Sequence, residues 1–291
     1  MTMVRDGAHD LPFADGVLAR TLIATGLPDA AAIEVAAQVG GVLYRGSTLV
    51  VDVEDVRAAT GEVLAERGEL EVLRRLRARW WLGATRQPVV IAIGGTSGVG
   101  KSTVAAGAAR VLGIDGVLST DLVRAVLRGT MNPDLIPALS GSSFSAQRML
   151  RSNLEGNRLL LAFEQQAAIV EQASISLMRR ALKEGMQLVL NGVHVVPGLV
   201  AVPEDWPVFG YVLTVPEVAE HERRFTARFA TSDRDPQRYL SRIHAIRELD
   251  EYIVAHSRAS GIPVIESGQP EQTIYDMVGA IASDLERTFG L

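Results

Sequence analysis

Gly95-Thr96-Ser97-Gly98-Val99-Gly100-Lys101-Ser102 decides the fold class of this chain. The stretch fits the pattern G-x-x-x-x-G-K-[ST], and it has the neighbours that pattern needs. Val89 to Ile93 is a continuous apolar run that predicts a buried parallel strand, and Ser102 to Leu112, Ala-rich and without Pro, predicts the helix that follows. Glycines in such a loop let successive N–H groups converge, and the start of the helix adds partial positive charge. The reading is therefore a cradle for the polyphosphate of ATP, built from Gly95 to Ser102 with Thr103 in the first helical turn. Lys101 reaches the terminal phosphates and the Ser102 hydroxyl ligates Mg²⁺. Of 29 basic residues only Lys101 and Lys183 are lysine, so a chain that otherwise uses arginine keeps a lysine here.

Outward from the loop the pattern alternates strand and helix. Strands are predicted at Val89–Ile93, Gly116–Ser119, Gln187–Asn191, Val208–Thr214 and Pro263–Glu266, which implies a parallel sheet with right-handed crossovers. The fold class is thus α/β, a P-loop NTPase sheet flanked by helices. Residues 1–87 read as a small, mainly helical N-terminal domain, with helices at Val17–Ala24 and Ala30–Tyr44 and a polar helical stretch from Val53 to Trp81. Gly83 to Pro88 is the predicted linker, and residues 88–291 form the second domain. Within it an insertion, 122–186, carries a Pro-, Ser- and Gly-rich loop from Asn132 to Ser145 and a helical stretch from about Ala146 to Glu184. Connections of that length are uncommon unless they work.

Composition narrows the function. A net charge of −5 and a pI near 5.6 lack the broad basic surface of a nucleic-acid binder. The absence of cysteine removes disulfides, thiolate metal sites and cysteine nucleophiles. Arg5, Asp6 and Asp10 interrupt the N-terminus, and no apolar run reaches the roughly 18 residues a membrane span needs. The default is cytoplasmic, with no membrane partner. Homo-oligomer formation stays open.

Three further constellations bear on chemistry. Ser119-Thr120-Asp121-Leu122-Val123-Arg124 follows the second strand of the sheet, at the carboxyl edge where open parallel sheets bind ligands. Asp121 there can accept the proton of an attacking hydroxyl and contribute to a Mg²⁺ site, while Arg124, one helical turn on, can fork onto an anionic substrate. In isolation the pair also reads as an ordinary N-cap Asp with a solvent-facing Arg. Asn191-Gly192-Val193-His194-Val195-Val196-Pro197-Gly198 closes the third strand. His194 is either a substrate ligand or a histidine satisfied by backbone near the strand end, and Asn191 stands where many nucleotide-binding folds carry an acid. Arg223, Arg224, Arg228, Arg234, Arg238 and Arg242 crowd a segment at 223–242 that reads as an arginine-rich lid, with Arg224 and Arg228 favoured as catalytic by their i, i+4 spacing. Arg74-Arg75-Leu76-Arg77-Ala78-Arg79-Trp80-Trp81 reads as a charged helix end packed by its tryptophans on the kinase core, with nucleobase stacking as the rival reading.

With these residues placed, the chain resembles the 2-phosphoglycerate kinase family over nearly its whole length. The resemblance is carried by Gly94 to Thr103, Ser119-Thr120-Asp121 with Arg124, Ser142-Ser143-Phe144, Gly192 to Gly198, Arg238-Tyr239-Leu240 and Ile262-Pro263-Val264-Ile265. It implies a nucleoside-monophosphate-kinase-like sheet and transfer of the ATP γ-phosphate to the hydroxyl of 2-phosphoglycerate, giving 2,3-bisphosphoglycerate. It also implies that Leu11-Pro12-Phe13 and Gly16 to Arg20 belong to an ATP-cone-like region. A substrate with a carboxylate and a phosphate needs two cationic anchors, which Arg124 and insertion arginines such as Arg148 and Arg151 supply. The alternatives are a kinase of another small phosphorylated metabolite or of polynucleotide ends, and an ATP-sensing regulator without catalysis.

Overall fold

The protein is described here by a computed structural model covering residues 2–7, 9–45, 50–85, 87–132, 136–145, 156–229 and 237–291. The chain forms two compact units: Met1–Thr85 with Arg110–Gly113 and Val278–Leu291, and Arg86–Ala109 with Ile114–Met277.

The first unit begins with strands β1 (Met3–Asp6) and β2 (His9–Pro12), then helices α1 (Asp15–Ala24) and α2 (Asp29–Arg45), strand β3 (Val50–Asp52), and helices α3 (Val53–Glu66) and α4 (Leu70–Ala84). β1 pairs antiparallel with β2 and parallel with β3. These strands of three or four residues are too short for a period-2 signal, and only the helices were legible in the sequence. The predicted stretch from Val53 to Trp81 is two helices. Its first has a reciprocal cap in which the Asp52 N–H donates to Asp55 Oδ2 at 2.9 Å. Leu22, Val35, Val39, Leu64 and Leu76 fill the core of this unit. Trp81 stacks on Phe289 with ring centroids 4.7 Å apart, and Arg57 lies 5.9 Å from the Trp80 ring. One face of the Trp81 ring is therefore used in packing, as the structural reading of the Arg74–Trp81 cluster expects.

The second unit holds β4 (Val89–Gly94), α5 (Lys101–Leu112), β5 (Gly116–Ser119), α6 (Thr120–Thr130), a 3₁₀ turn (Pro137–Ser140) and α7 (Arg158–Lys183). It continues with β6 (Gln187–Asn191), β7 (Val208–Thr214), α8 (Val218–Phe229), α9 (Gln237–Leu240), α10 (Ile243–Ala259), β8 (Val264–Glu266) and the start of α11 (Pro270–Phe289); the end of α5 from Arg110 and α11 from Val278 onward belong to the first unit. The five strands form one parallel sheet in the order β5-β6-β4-β7-β8. All five strand predictions hold. β4 is central and buried along its whole length, which is why it reads as an unbroken apolar run. Register then sets the working edge: Asn191 lies opposite Ile93 on one side and Ser119 on the other. The loop after β4, the start of α6 and the turn after β6 thus emerge side by side at the carboxyl ends of adjacent strands.

α6 starts where its cap dictates, the Ser119 hydroxyl accepting the Asp121 N–H at 3.2 Å. α7 starts at Asn157, whose side chain accepts from the N–H groups of Leu159 and Leu160. The first part of the helix predicted from Ala146 lies outside the described residues. Among the described residues no helix is long and apolar enough to cross a membrane.

Candidate active site

The phosphate-binding loop leaves β4 through Gly95, Gly98 and Gly100, all at positive φ (127°, 88° and 93°), a region that penalises a β-carbon. Gly98 has a second reason to be glycine. A β-carbon there would sit 2.6 Å from Phe225 Cζ and 2.8 Å from His221 Nε2, because α8 packs directly on the loop. The His221 Nε2–H donates to the Ser97 carbonyl at 2.7 Å, and its ring stacks on Phe225, which stacks on Tyr239, which in turn meets Phe144. This column of rings joins the loop, α8, α9 and the turn at Phe144. Burial lowers the His221 pKa, so the ring bridging loop and α8 is neutral at neutral pH.

The loop opens into a cavity of about 840 Å³. Ser97, Gly98, Gly100, Lys101, Ser102 and Thr103 form one side, Ser119, Asp121, Asn191 and Gly192 a second, and α8 with the Ser267–Pro270 turn a third. The sequence-predicted residues Lys101, Ser102, Asp121 and Arg224 therefore converge on one space. Lys101 Nζ donates to the Thr96 carbonyl, so the ammonium is folded over its own loop. The Ser102 hydroxyl is 3.4 Å from Asn191 Oδ1, and the Asn191 amide N–H donates to the Leu118 carbonyl at 3.1 Å. Asn191 is thus held by the adjacent strand and faces the serine hydroxyl with a neutral oxygen. The Asp121 side chain is 66% exposed and open to the cavity.

The other loop residues divide by direction. Val99 is fully buried. Thr96 is also buried, and its hydroxyl donates to Asp250 Oδ1 at 2.8 Å, away from any phosphate. Asp250 Oδ2 accepts the Thr214 hydroxyl at 2.6 Å and pairs with Arg247 at 3.7 Å, while Arg247 donates to the carbonyls of Val215 and Pro216. This buried carboxylate escaped the sequence reading. Its signal was present, because Asp250 interrupts the apolar stripe Ile246, Leu249 and Ile253 of α10.

Arg124 and His194 are placed differently from the substrate-ligand reading. Arg124 is only 3.9 Å from Asp121, and its Nη1 donates to the carbonyls of Leu139 at 3.2 Å and Gly141 at 3.0 Å. The arginine thereby fastens the insertion turn to α6. His194 is 1% exposed and does not line the active cavity. Its neighbours fix its tautomer. Gln166 Nε2 donates to the Ala138 and Gly141 carbonyls, so Gln166 Oε1, 3.1 Å from His194 Nε2, must accept from an N–H there. Nδ1 is then the acceptor for the Thr120 hydroxyl at 3.0 Å. Burial is the main cause that lowers the His194 pKa to about 4, and the ring is neutral. Gly192 permits this approach, since a β-carbon there would overlap the Thr120 hydroxyl.

In α8, Arg224 donates to the Ser267 hydroxyl at 2.8 Å and to the carbonyls of Ser267 and Gly268, and it bonds Glu220 at 2.7 Å. That hydrogen bond chiefly holds the Glu220 carboxyl below its usual range. Arg223 lines the cavity and is 75% exposed. Arg228 lies in α8, with its side chain outside the described residues; Arg148, Arg151 and Arg234 lie wholly outside them. Among the described residues no cluster of three or more His, Asp or Glu could hold a metal ion. Ser102 and Asp121 can offer only one hydroxyl and one carboxylate, which suits a cation that keeps water and phosphate oxygens in its shell, as Mg²⁺ does.

The chain was compared with known proteins. It is 34% identical over 270 residues to a 2-phosphoglycerate kinase of Pyrococcus furiosus, covering 93% of this chain and 89% of that protein. It is 34% identical over 286 residues to one of Methanocaldococcus jannaschii, covering 98% and 92%. A third, from Thermococcus kodakarensis, is 33% identical over 278 residues, covering 95% and 94%. No protein-family model matches. Among solved structures, a gluconokinase from Sinorhizobium meliloti matches with a TM-score of 0.40 at 14% identity, over 70% of this chain and 99% of that one. A shikimate kinase from Acinetobacter baumannii matches at 0.41 and 15%, over 72% and 99%.

Proposed function

Because the chain belongs to the 2-phosphoglycerate kinase family, we propose that it transfers the γ-phosphate of ATP to the hydroxyl of 2-phosphoglycerate, yielding 2,3-bisphosphoglycerate and ADP. The observation that carries this reading is the convergence of Lys101, Ser102, Asp121 and Arg224 on one cavity. The acceptor oxygen attacks the γ-phosphorus, its proton passes to the Asp121 carboxylate, and the bond to the bridging oxygen of ADP breaks. Lys101 turns from the Thr96 carbonyl to the phosphates. Arg224, already positioned by Glu220 and the Ser267 turn, and Arg228 supply positive charge as the phosphoryl group moves. Ser102 and Asp121 would hold Mg²⁺, which when bound neutralises charge on the β- and γ-phosphate oxygens.

Arg124 and His194 serve the acceptor side through position. Arg124 holds the insertion turn, and His194 holds Thr120, the residue before Asp121; Arg148 remains a candidate anionic anchor from the insertion. The same proposal treats 1–87 as an ATP-cone-like domain and 88–291 as the kinase domain, with its insertion at 122–186 and lid at 223–242, working in the cytoplasm. Incubation with γ-labelled ATP, Mg²⁺ and 2-phosphoglycerate tests it. Label should appear in 2,3-bisphosphoglycerate; efficient transfer to another small phosphorylated metabolite or a polynucleotide end but none to 2-phosphoglycerate would overturn the substrate, and ATP binding without transfer to any acceptor would favour a sensor.

A further inference from the structure

A second cavity, of about 360 Å³, lies in the same unit and shares no lining residue with the active cavity. α7 contributes Glu171, Ser174 and Met178, and Trp206 lines it from the segment before β7. Its walls are mostly aliphatic, yet Glu171 projects a carboxyl with one buried oxygen, Oε2, that has no hydrogen-bond partner. Such an oxygen is costly in an apolar setting unless something arrives to meet it. Among the described residues neither lysine nor arginine lines the space, the Arg179 guanidinium lying 5.8 Å from the ring of Trp206.

The other ionisable groups facing it are His194, from the turn after β6, and Glu204, on the exposed loop before β7. His194 has nothing to offer a ligand, since Nε2 is bonded to Gln166 and Nδ1 to Thr120. Glu204 adds negative potential. A carboxylate or phosphate ligand would meet two acids and, among the described lining residues, no cation, so the lining disfavours anionic metabolites.

We propose that this cavity binds a small organic cation, a primary amine on an apolar body, whose ammonium pairs with Glu171 while its hydrocarbon part packs on Met178 and Trp206. Burial raises the Glu171 carboxyl to a pKa of about 8, so this carboxyl is protonated near pH 7 when the cavity is empty. When an ammonium enters, the carboxyl proton leaves to solvent and an ion pair replaces the unpartnered oxygen. Affinity should therefore fall as pH drops below about 8, because the proton competes with the amine.

Calorimetric titration of the full chain with 2-phenylethylamine, 2-phenylethanol and 3-phenylpropanoate tests the proposal, since the three differ chiefly in the charge of the head group. At about pH 8.5 the amine should bind at least about tenfold more tightly than either control, and that advantage should shrink at about pH 6.5. Glu171→Gln should weaken the amine at least about tenfold while leaving the melting temperature at or above that of the parent, since a buried unpaired carboxyl is removed. Absence of amine binding, equal binding of the propanoate, or undiminished binding to Glu171→Gln overturns the proposal. So does a clear fall in the melting temperature of that variant, which would mean that the carboxyl already has a partner in the folded protein.

Discussion

Asp250 accepts a hydrogen bond from Thr96 across 154 positions of sequence, and the same carboxylate holds Thr214 at the end of β7. The phosphate loop is therefore anchored from beneath by a buried acid that touches no substrate. Asp250→Ala strands two hydroxyls and the Arg247 guanidinium, a change expected to cost about 3–5 kcal/mol by analogy with broken buried ion pairs. Thr96→Val removes one bond and should cost about 1–2 kcal/mol. Urea unfolding measures both. In Thr96→Val the KM for ATP should rise more than kcat falls, because the loop loses its anchor and keeps its chemistry.

Asp121 carries the proton in the proposed mechanism and is well exposed, so removing its charge does not disturb the core. Asp121→Asn should lower kcat by about 10²–10⁴, the range of a positioned general base. ATP binding, followed by fluorescence or calorimetry, should persist. Turnover equal to that of the parent would take Asp121 out of the mechanism.

The phosphate loop and its sheet were legible because they rest on local signals: glycines at fixed spacing, a lysine in an arginine-rich chain and apolar runs of five residues or more. That Asp121 and Arg224 line the same cavity as the loop was legible through the place of Asp121 at a strand end and of Arg224 in the arginine-rich segment. Asp250, the column from His221 to Phe144 and the carbonyl bonds of Arg124 were not, because each depends on partners far apart in sequence or on backbone atoms that carry no side-chain identity. His194 shows the same limit: its motif marks a special position, but only the fold reveals that both ring nitrogens are engaged by Gln166 and Thr120. The short strands of the first unit failed for another reason, having too few residues to display a period.

Arg124 joins α6 to the carbonyls of Leu139 and Gly141, so its loss should loosen the acceptor side and spare the nucleotide side. Arg124→Ala is expected to raise the KM for the acceptor by about tenfold or more, equivalent to about 1.4 kcal/mol. The KM for ATP should change little. Both bonds leave Nη1 at the far end of the planar guanidinium, and the lysine ammonium sits on a shorter, more flexible stem, so Arg124→Lys should rescue only partly.

Glu171 and His194 line one cavity and respond to pH with opposite sign. The Glu171 pKa is raised to about 8 in the folded protein, so its contribution to stability is present in acid and is lost as pH climbs from about 4.5 through about 8. The His194 pKa is lowered to about 4, so the unfolded chain takes up its proton first and stability is lost as pH falls from about 6.5 towards 4. Between about pH 4.5 and 6.5 the two slopes cancel. Each is at most about 1.4 kcal/mol per pH unit. Glu171→Gln should therefore unmask a stability that rises with pH across this window, and His194→Gln one that falls, when each is compared with the parent by urea unfolding. The double variant should return to the slope of the parent. A parent and Glu171→Gln that differ by a constant amount at every pH would mean that Glu171 titrates in the folded protein as it does in the unfolded chain, and the carboxyl would then be wet or paired.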